Sequence, residues 1–193
     1  ACYAYVAFQT AYLKCHYPSE FMAALLTSVL DNTDKVIEYS GECARLGIKV
    51  LPPDVNISNG GFTADNGKIR FGLNAVKNVG RNLIERVVGE RKEKPYSSLY
   101  DFCKRMHGTE LNRRAVECLI KAGAFDSMGV NRHSLVEAVD GIIKSVESDS
   151  RRNLEGQLDL FSVMSGESQT SDTDSYEIKP FPEYSHTELL QQE

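Results

Sequence analysis

Gly72-Leu73-Asn74-Ala75-Val76-Lys77-Asn78-Val79-Gly80-Arg81-Asn82-Leu83-Ile84-Glu85-Arg86-Val87-Val88-Gly89-Glu90-Arg91 reads as two short helical patterns joined by Lys77-Asn78-Val79-Gly80. Leu73 and Val76 form one apolar face, and Leu83, Ile84, Val87 and Val88 form the other. Gly80 is expected to supply the backbone freedom that turns the chain into the second helix.

The pattern looks like a helix-hairpin-helix motif, and its chemistry suits phosphate. The N–H groups of residues 80–83 are expected to face outward at a partly positive helix N-terminus. Val79 plugs the turn into its own core, and Lys77, Arg81, Asn78 and Asn82 surround it with polar and cationic groups. Backbone amides at a helix N-terminus recognise phosphate oxygens and not base edges, so duplex binding is expected to be independent of sequence. The plainer reading is that the turn only connects two helices.

Residues 116–140 repeat the theme less cleanly. Val116, Leu119 and Ile120 precede Lys121-Ala122-Gly123-Ala124-Phe125, and Asp126-Ser127-Met128-Gly129 makes a turn. Asn131 is a candidate cap for a helix through Leu135, Val139 and Ile142. Lys121, Gly123, Asn131 and Arg132 are the candidate DNA contacts of this second hairpin; alternatively, Gly123 and Gly129 merely break helices.

Outward from this centre the pattern changes. Residues 3–16 have helical spacing and stop at Pro18, and a second helix, Phe21 to Leu30, takes Ser19 as its cap. Asp31-Asn32-Thr33-Asp34 makes a turn and a new cap, and a third helix runs from Lys35 to Leu46 and ends at Gly47. Ile48-Lys49-Val50-Leu51 is strand-like. Phe62-Thr63-Ala64 and Lys68-Ile69-Arg70-Phe71 flank Asp65-Asn66-Gly67, a strong hairpin signal. The fold class is therefore mainly α with a small β hairpin element. The units read as helices over 1–47, a β element over 48–73, tandem hairpins over 74–144, and a disordered acidic linker over 145–193.

The net charge of the 193 residues is −5, but it is unevenly spread. Residues 145–193 hold 11 Asp/Glu and 3 Lys/Arg, a net of −8, which leaves a net of +3 on residues 1–144 and +4 on 74–144. A mildly basic folded part with an acidic tail remains compatible with nucleic acid, because phosphate responds to local potential. No apolar run approaches the ~20 residues of a membrane helix. Ala1-Cys2-Tyr3-Ala4-Tyr5-Val6-Ala7-Phe8 lacks Met and a positive leading region, so it reads as a helix cut open and not as a signal peptide. Cys2, Cys15, Cys43, Cys103 and Cys118 are odd in number and form no C-x-x-C pair. They read as free buried thiols of a cytoplasmic protein, with no metal site.

One apolar island, Gln157-Leu158-Asp159-Leu160-Phe161, interrupts the polar tail. It resembles the bacterial sliding-clamp-binding motif. Two adjacent large apolar side chains on an unstructured segment invite a partner pocket, and burying both supplies roughly 3–6 kcal/mol before ordering costs. The same island could instead fold back as a latch on its own domain.

A longer resemblance spans these parts. Ala11-Tyr12-Leu13-Lys14, His16-Tyr17-Pro18, Glu20-Phe21-Met22-Ala23-Ala24-Leu25, Asp31-Asn32-Thr33-Asp34-Lys35-Val36 and Gly47-Ile48-Lys49-Val50-Leu51-Pro52-Pro53-Asp54-Val55-Asn56 resemble the fingers domain of bacterial DNA polymerase III alpha subunits. Ile69-Arg70-Phe71-Gly72-Leu73, Val76-Lys77-Asn78-Val79-Gly80, Ser98-Leu99-Tyr100-Asp101-Phe102-Cys103, Leu111-Asn112-Arg113-Arg114 and Leu119-Ile120-Lys121-Ala122-Gly123-Ala124-Phe125-Asp126 follow in the same order. The resemblance covers residues 1–161 and resumes at Phe181-Pro182-Glu183-Tyr184.

It implies an internal fragment of a DNA-directed DNA polymerase. The parent enzyme would use two Mg ions held by palm carboxylates upstream. This fragment would carry no catalytic residue and no cofactor; Asp31 and Asp34 are its nearest candidate carboxylates, and a helix cap explains them. The implied partners are double-stranded DNA, held along the primer-template backbone, the sliding clamp beta subunit, and the other replicase subunits of the parent. An oligonucleotide-binding barrel is implied to follow. A reading from another class is an independent helix-hairpin-helix repair or recombination protein, and a third is a structural domain whose positive charge is a solvated face.

Overall fold

The computed structural model describes the backbone of residues 2–156 and 176–192. Three helices open the chain: α1 (Cys2–His16), α2 (Pro18–Ser28) and α3 (Thr33–Arg45). Pro18 occupies the first turn of α2, where its missing N–H costs nothing. Tyr17 is the residue before that helix, so Ser19 does not cap it; the Ser19 hydroxyl donates to Glu20 Oε2 at 2.8 Å. Asn32 caps α3 by accepting from the Lys35 N–H at 3.1 Å. Asp31 and Asp34 therefore do not make that cap bond; Asp34 lies in the first helical turn, where a carboxylate is favoured. Gly47 follows α3 with φ +74°, the left-handed stop its sequence position predicts.

β1 (Val50–Leu51), β2 (Thr63–Asp65) and β3 (Lys68–Arg70) form a small sheet in the order β1-β3-β2. β2 and β3 are antiparallel in the register Asp65↔Lys68, turned by Asn66 (φ 50°) and Gly67 (φ 76°). Two positive φ values in succession fit the right-handed twist of the hairpin. β1 runs parallel to β3, pairing Val50 with Ile69. Met22, Leu26, Val36, Cys43, Ile48, Phe62 and Ile69 close a core between α2, α3 and this sheet.

A second, larger core holds α4 (Arg81–Glu90), α5 (Leu99–Arg105), α6 (Arg113–Lys121) and α7 (Arg132–Gly156). Phe102 lies at its centre, edge-on to Tyr96 and Phe125 with both centroids 5.1 Å away. Phe71 packs against both cores. Arg91 fastens the loop after β1 to the second core: Nη1 donates to the Val55 and Ser58 carbonyls at 2.9 and 2.5 Å, and Nη2 to Asn59 Oδ1 at 2.9 Å. Burial lowers the guanidinium pKa, and these carbonyls replace the lost water.

The mainly helical fold with a small β element agrees with the sequence expectation. The boundary at Lys144 does not. α7 continues to Gly156, because Val146 buries in the core and Asp149 accepts a hydrogen bond from the Tyr100 hydroxyl at 2.5 Å. The acidic region is also placed later: residues 176–185 lie against α7 without helix or strand and lead into α8 (His186–Gln192). The expectation of free buried thiols holds for Cys43 and Cys103, whereas Cys2 and Cys15 are exposed. No helix among the described residues is long and apolar enough to cross a membrane.

Candidate nucleic-acid interface

The first hairpin is built on a short 3-10 turn at Leu73–Ala75, where the first of two short helical patterns was expected. Leu73 and Asn74 donate backbone N–H bonds to the Asn59 and Gly60 carbonyls at 2.9 and 3.0 Å. Gly72 allows this approach: a methyl group there would lie 2.6 Å from the Gly61 carbonyl carbon. Val76 ends the turn and is buried, and Val79 packs half-buried against the larger core.

The positive φ of the hairpin falls on Asn78 (φ 61°) and not on Gly80 (φ −71°, ψ 143°). Asn tolerates the left-handed region better than other side chains, and Asn78 Nδ2 reaches Cys118 Sγ at 3.4 Å on α6. Gly80 is the residue before α4 and carries no capping side chain. A methyl group at Gly80 would come 3.1 Å from Glu110 Oε2.

The N–H groups of Arg81, Asn82 and Leu83 open α4 and have no acceptor one turn back. Among the described residues no side chain accepts from them. The first turn of α4 contains no acid, while Leu83, Ile84 and Val87 bury its opposite face. Each such side chain contributes about 1.5–3 kcal/mol, enough to fix the direction in which the amides point. Lys77, Asn78, Gly80, Arg81 and Asn82 are exposed around this end. Arg81 Nη2 pairs with Asp31 Oδ1 at 2.6 Å, with the two side chains 62% and 88% exposed. A pair this exposed is worth ~0–1 kcal/mol and can exchange for another anion. Asn82 Nδ2 lies 3.3 Å from Glu110 Oε1.

The second hairpin is differently occupied. α6 ends at Lys121 with Ala122 as its C-cap, and Gly123 (φ +85°) turns the chain through Ala124 and Phe125 into a 3-10 turn at Asp126–Met128. Arg132, expected beside the turn as a phosphate contact, is buried. Its Nε and Nη2 bind Asp126 Oδ1 and Oδ2 at 3.0 and 2.7 Å, and Nη1 donates to the Lys121 carbonyl at 2.9 Å. Gly123 is buried beneath that guanidinium; a methyl group there would lie 2.5 Å from Arg132 Nη2. Its own N–H bonds the Ile120 carbonyl at 2.9 Å. Asn131 caps α7 as expected, accepting from the Ser134 N–H at 2.8 Å, while its Nδ2 donates to the Phe181 carbonyl at 2.7 Å. Lys121 is half-buried. Gly123, Asn131 and Arg132 thus hold the turn together from inside, and the groups around Lys77–Asn82 form the open surface.

Sequence reading missed Glu183. Its carboxylate accepts from the Arg132 and His133 N–H groups at 3.0 and 3.3 Å, across the N-terminus of α7. Burial acts to raise its pKa; the N–H groups of Tyr184, Arg132 and His133, with the Arg132 charge, outweigh burial and hold it below the usual carboxylate range. Residues 157–161, the expected clamp contact, lie outside the described residues. Among the described residues no group of three or more His, Cys, Asp or Glu is placed to hold a metal ion.

Comparison with known proteins agrees with this geometry. The helix-hairpin-helix motif family matches residues 47–135. The DNA polymerase III subunit alpha of Saccharopolyspora erythraea is 50% identical over 160 residues, 82% of this chain and 13% of that protein. The protein of the same name from Escherichia coli strain K12 is 40% identical over 185 residues, 95% of this chain and 16% of that protein. The one from Borreliella burgdorferi is 41% identical over 191 residues, 98% of this chain and 16% of that protein. The chain therefore spans 13–16% of the length of these relatives. With identity this high along nearly its whole length, and the hairpin architecture in the matching place, the chain belongs to the DNA polymerase III alpha subunit family.

Proposed function

We propose that the chain holds duplex DNA by its phosphate backbone, without reading sequence, inside a DNA-directed DNA polymerase. The observation that carries this reading is the open N-terminus of α4. Its first three amides are uncapped, its first turn lacks acids, and Lys77 and Arg81 stand exposed beside it. Backbone amides of a helix N-terminus bind phosphate oxygens and offer no pattern for base edges, and the exposed cations add charge beside them.

The wider reading concerns the parent. Polymerisation, with Mg held by palm carboxylates, belongs to other parts of the parent, and this chain alone is inactive. It works in the cytoplasm with the other replicase subunits. Gln157-Leu158-Asp159-Leu160-Phe161 tethers it to the sliding clamp beta subunit. A few phosphate contacts are weak and salt-sensitive, and a tether to a ring around DNA raises their effective concentration.

Fluorescence anisotropy with two duplexes of unrelated sequence tests the duplex reading. The parent chain should bind both with similar affinity, falling as salt rises. Lys77→Ala with Arg81→Ala should weaken both alike and reduce the salt slope by about 2. Binding confined to one sequence, or a double variant that binds as well as the parent, refutes backbone recognition at this hairpin.

A further inference from the structure

The hydrogen-bond donors at the N-terminus of α7, which the second hairpin would turn toward a phosphate, are already used. The Ser134 N–H goes to the Asn131 side chain, and the Arg132 and His133 N–H groups go to Glu183. The Asn131 amide goes to the Phe181 carbonyl and the Arg132 guanidinium to Asp126 and Lys121. Three of these donors are satisfied by residues 181–183, some fifty positions away in sequence.

The segment is held along its length. Phe181 N–H donates to Ser134 Oγ at 2.8 Å, and the His133 ring lies 2.7 Å from the Pro182 carbonyl by Nδ1. The His133 ring also stacks on Tyr184 at 4.5 Å and leans on Phe181 at 5.4 Å. Farther back, Ile178 and Tyr176 pack half-buried against the larger core, with Tyr176 over Gly141, where a methyl group would collide with it. α4 has no such cover: no carboxylate among the described residues accepts from its opening amides.

We propose that residues 176–184 are an intramolecular strap in which the Glu183 carboxylate takes the place of a phosphate at α7, closing the second hairpin so that the resting chain grips duplex through the first alone. This rests on the reading that the hairpins bind duplex backbone. The strap is a competitor: a phosphate can reach the Arg132 and His133 amides only after the carboxylate leaves. The contacts of residues 181–183 are mostly polar and partly exposed, so freeing that end, with Tyr176 and Ile178 still packed, costs little compared with opening the core.

Amide chemical-shift mapping and anisotropy with a short duplex test the strap in the full chain. In the parent, duplex should shift the amides of Lys77–Leu83 and leave Asn131–Ser134 unmoved. Glu183→Ala should bind about three- to tenfold tighter at low salt, as one or two added phosphate contacts do, with shifts spreading to Asn131–Ser134. Glu177→Ala removes the same charge from an exposed position on the same strap and should change affinity by less than about twofold, as loss of a single screened surface charge does. Loss of Glu183 also strips two opening amides of α7 of their acceptor, so Phe181→Ala is the second variant: it loosens the strap, keeps the carboxylate, and should give an intermediate gain. Parent shifts at Asn131–Ser134, or equal gains in Glu183→Ala and Glu177→Ala, overturn the strap while duplex binding through Lys77 and Arg81 stands. Absence of duplex binding in the parent and all variants overturns both.

Discussion

The N–H of Arg132 donates a 3.0 Å hydrogen bond to the carboxylate of Glu183, 51 residues later in the chain. The same arginine's guanidinium is turned the other way, into Asp126 and the Lys121 carbonyl. One residue therefore joins the second hairpin turn to the segment that covers it.

The Arg132–Asp126 pair predicts a stability loss without a loss of duplex affinity. Asp126→Ala removes the carboxylate paired with a guanidinium that is 9% exposed and keeps its bond to the Lys121 carbonyl, while Asp126 itself is 44% exposed. The expected cost is about 1–3 kcal/mol, below that of a fully buried pair because water reaches one side. Urea denaturation measures it. A midpoint equal to the parent's would show that Arg132 finds equal solvation elsewhere.

Glu183 predicts the acid side of the stability profile. Its folded pKa lies below the ordinary 4.5, so the folded chain binds this proton less readily than the unfolded chain. The contribution is present above the unfolded value and is lost as pH falls through the folded one. Unfolding followed from pH 6 down to ~3 should show a steeper fall for the parent than for Glu183→Ala. Identical slopes would remove the carboxylate from the linkage.

Cysteine reactivity should follow burial. Burial pushes the Cys103 thiol up to about 12, while Cys2 and Cys15 are exposed. Alkylation at pH 8 followed by mass spectrometry should label Cys2 and Cys15 first and spare Cys103 until urea is added. Early labelling of Cys103 would mean that the core around Phe102 opens readily.

The tether is tested separately from the DNA surface. Calorimetry against the sliding clamp should show binding by the parent and none by Leu160→Ala with Phe161→Ala, since the pair supplies roughly 3–6 kcal/mol of apolar burial. Undiminished affinity in the double variant would place the contact elsewhere.

Much of the fold was legible because its signals are local. Asn66-Gly67 specifies a two-residue hairpin by its own φ preferences, Gly47 ends α3 for the same reason, and Asn131 caps α7 three residues ahead of Ser134. The apolar face Leu83, Ile84 and Val87 follows from helical period, and so does the exposure of Arg81 and Asn82 opposite it. Gly80 misled because glycine is the usual bearer of positive φ, whereas the turn places that conformation on Asn78 and leaves Gly80 extended before α4.

Composition misled in the acidic region. Ser, Asp and Glu at Ser145–Ser150 suggested a linker, yet Val146 reaches the core and Asp149 meets Tyr100. Charge at a turn was likewise a poor guide to Arg132, because whether a guanidinium faces solvent depends on an acid six residues away and on what packs above it.

By itself the sequence determined the helices, the Asn-Gly hairpin and the cationic turn at Lys77–Asn82, since each depends on neighbours within one or two turns of chain. Tertiary structure alone decided which hairpin stays open. That choice rests on Glu183 and Phe181 meeting Asn131–Ser134, a pairing of residues some fifty positions apart that chain spacing does not encode and that only packing of the whole molecule brings within hydrogen-bond distance.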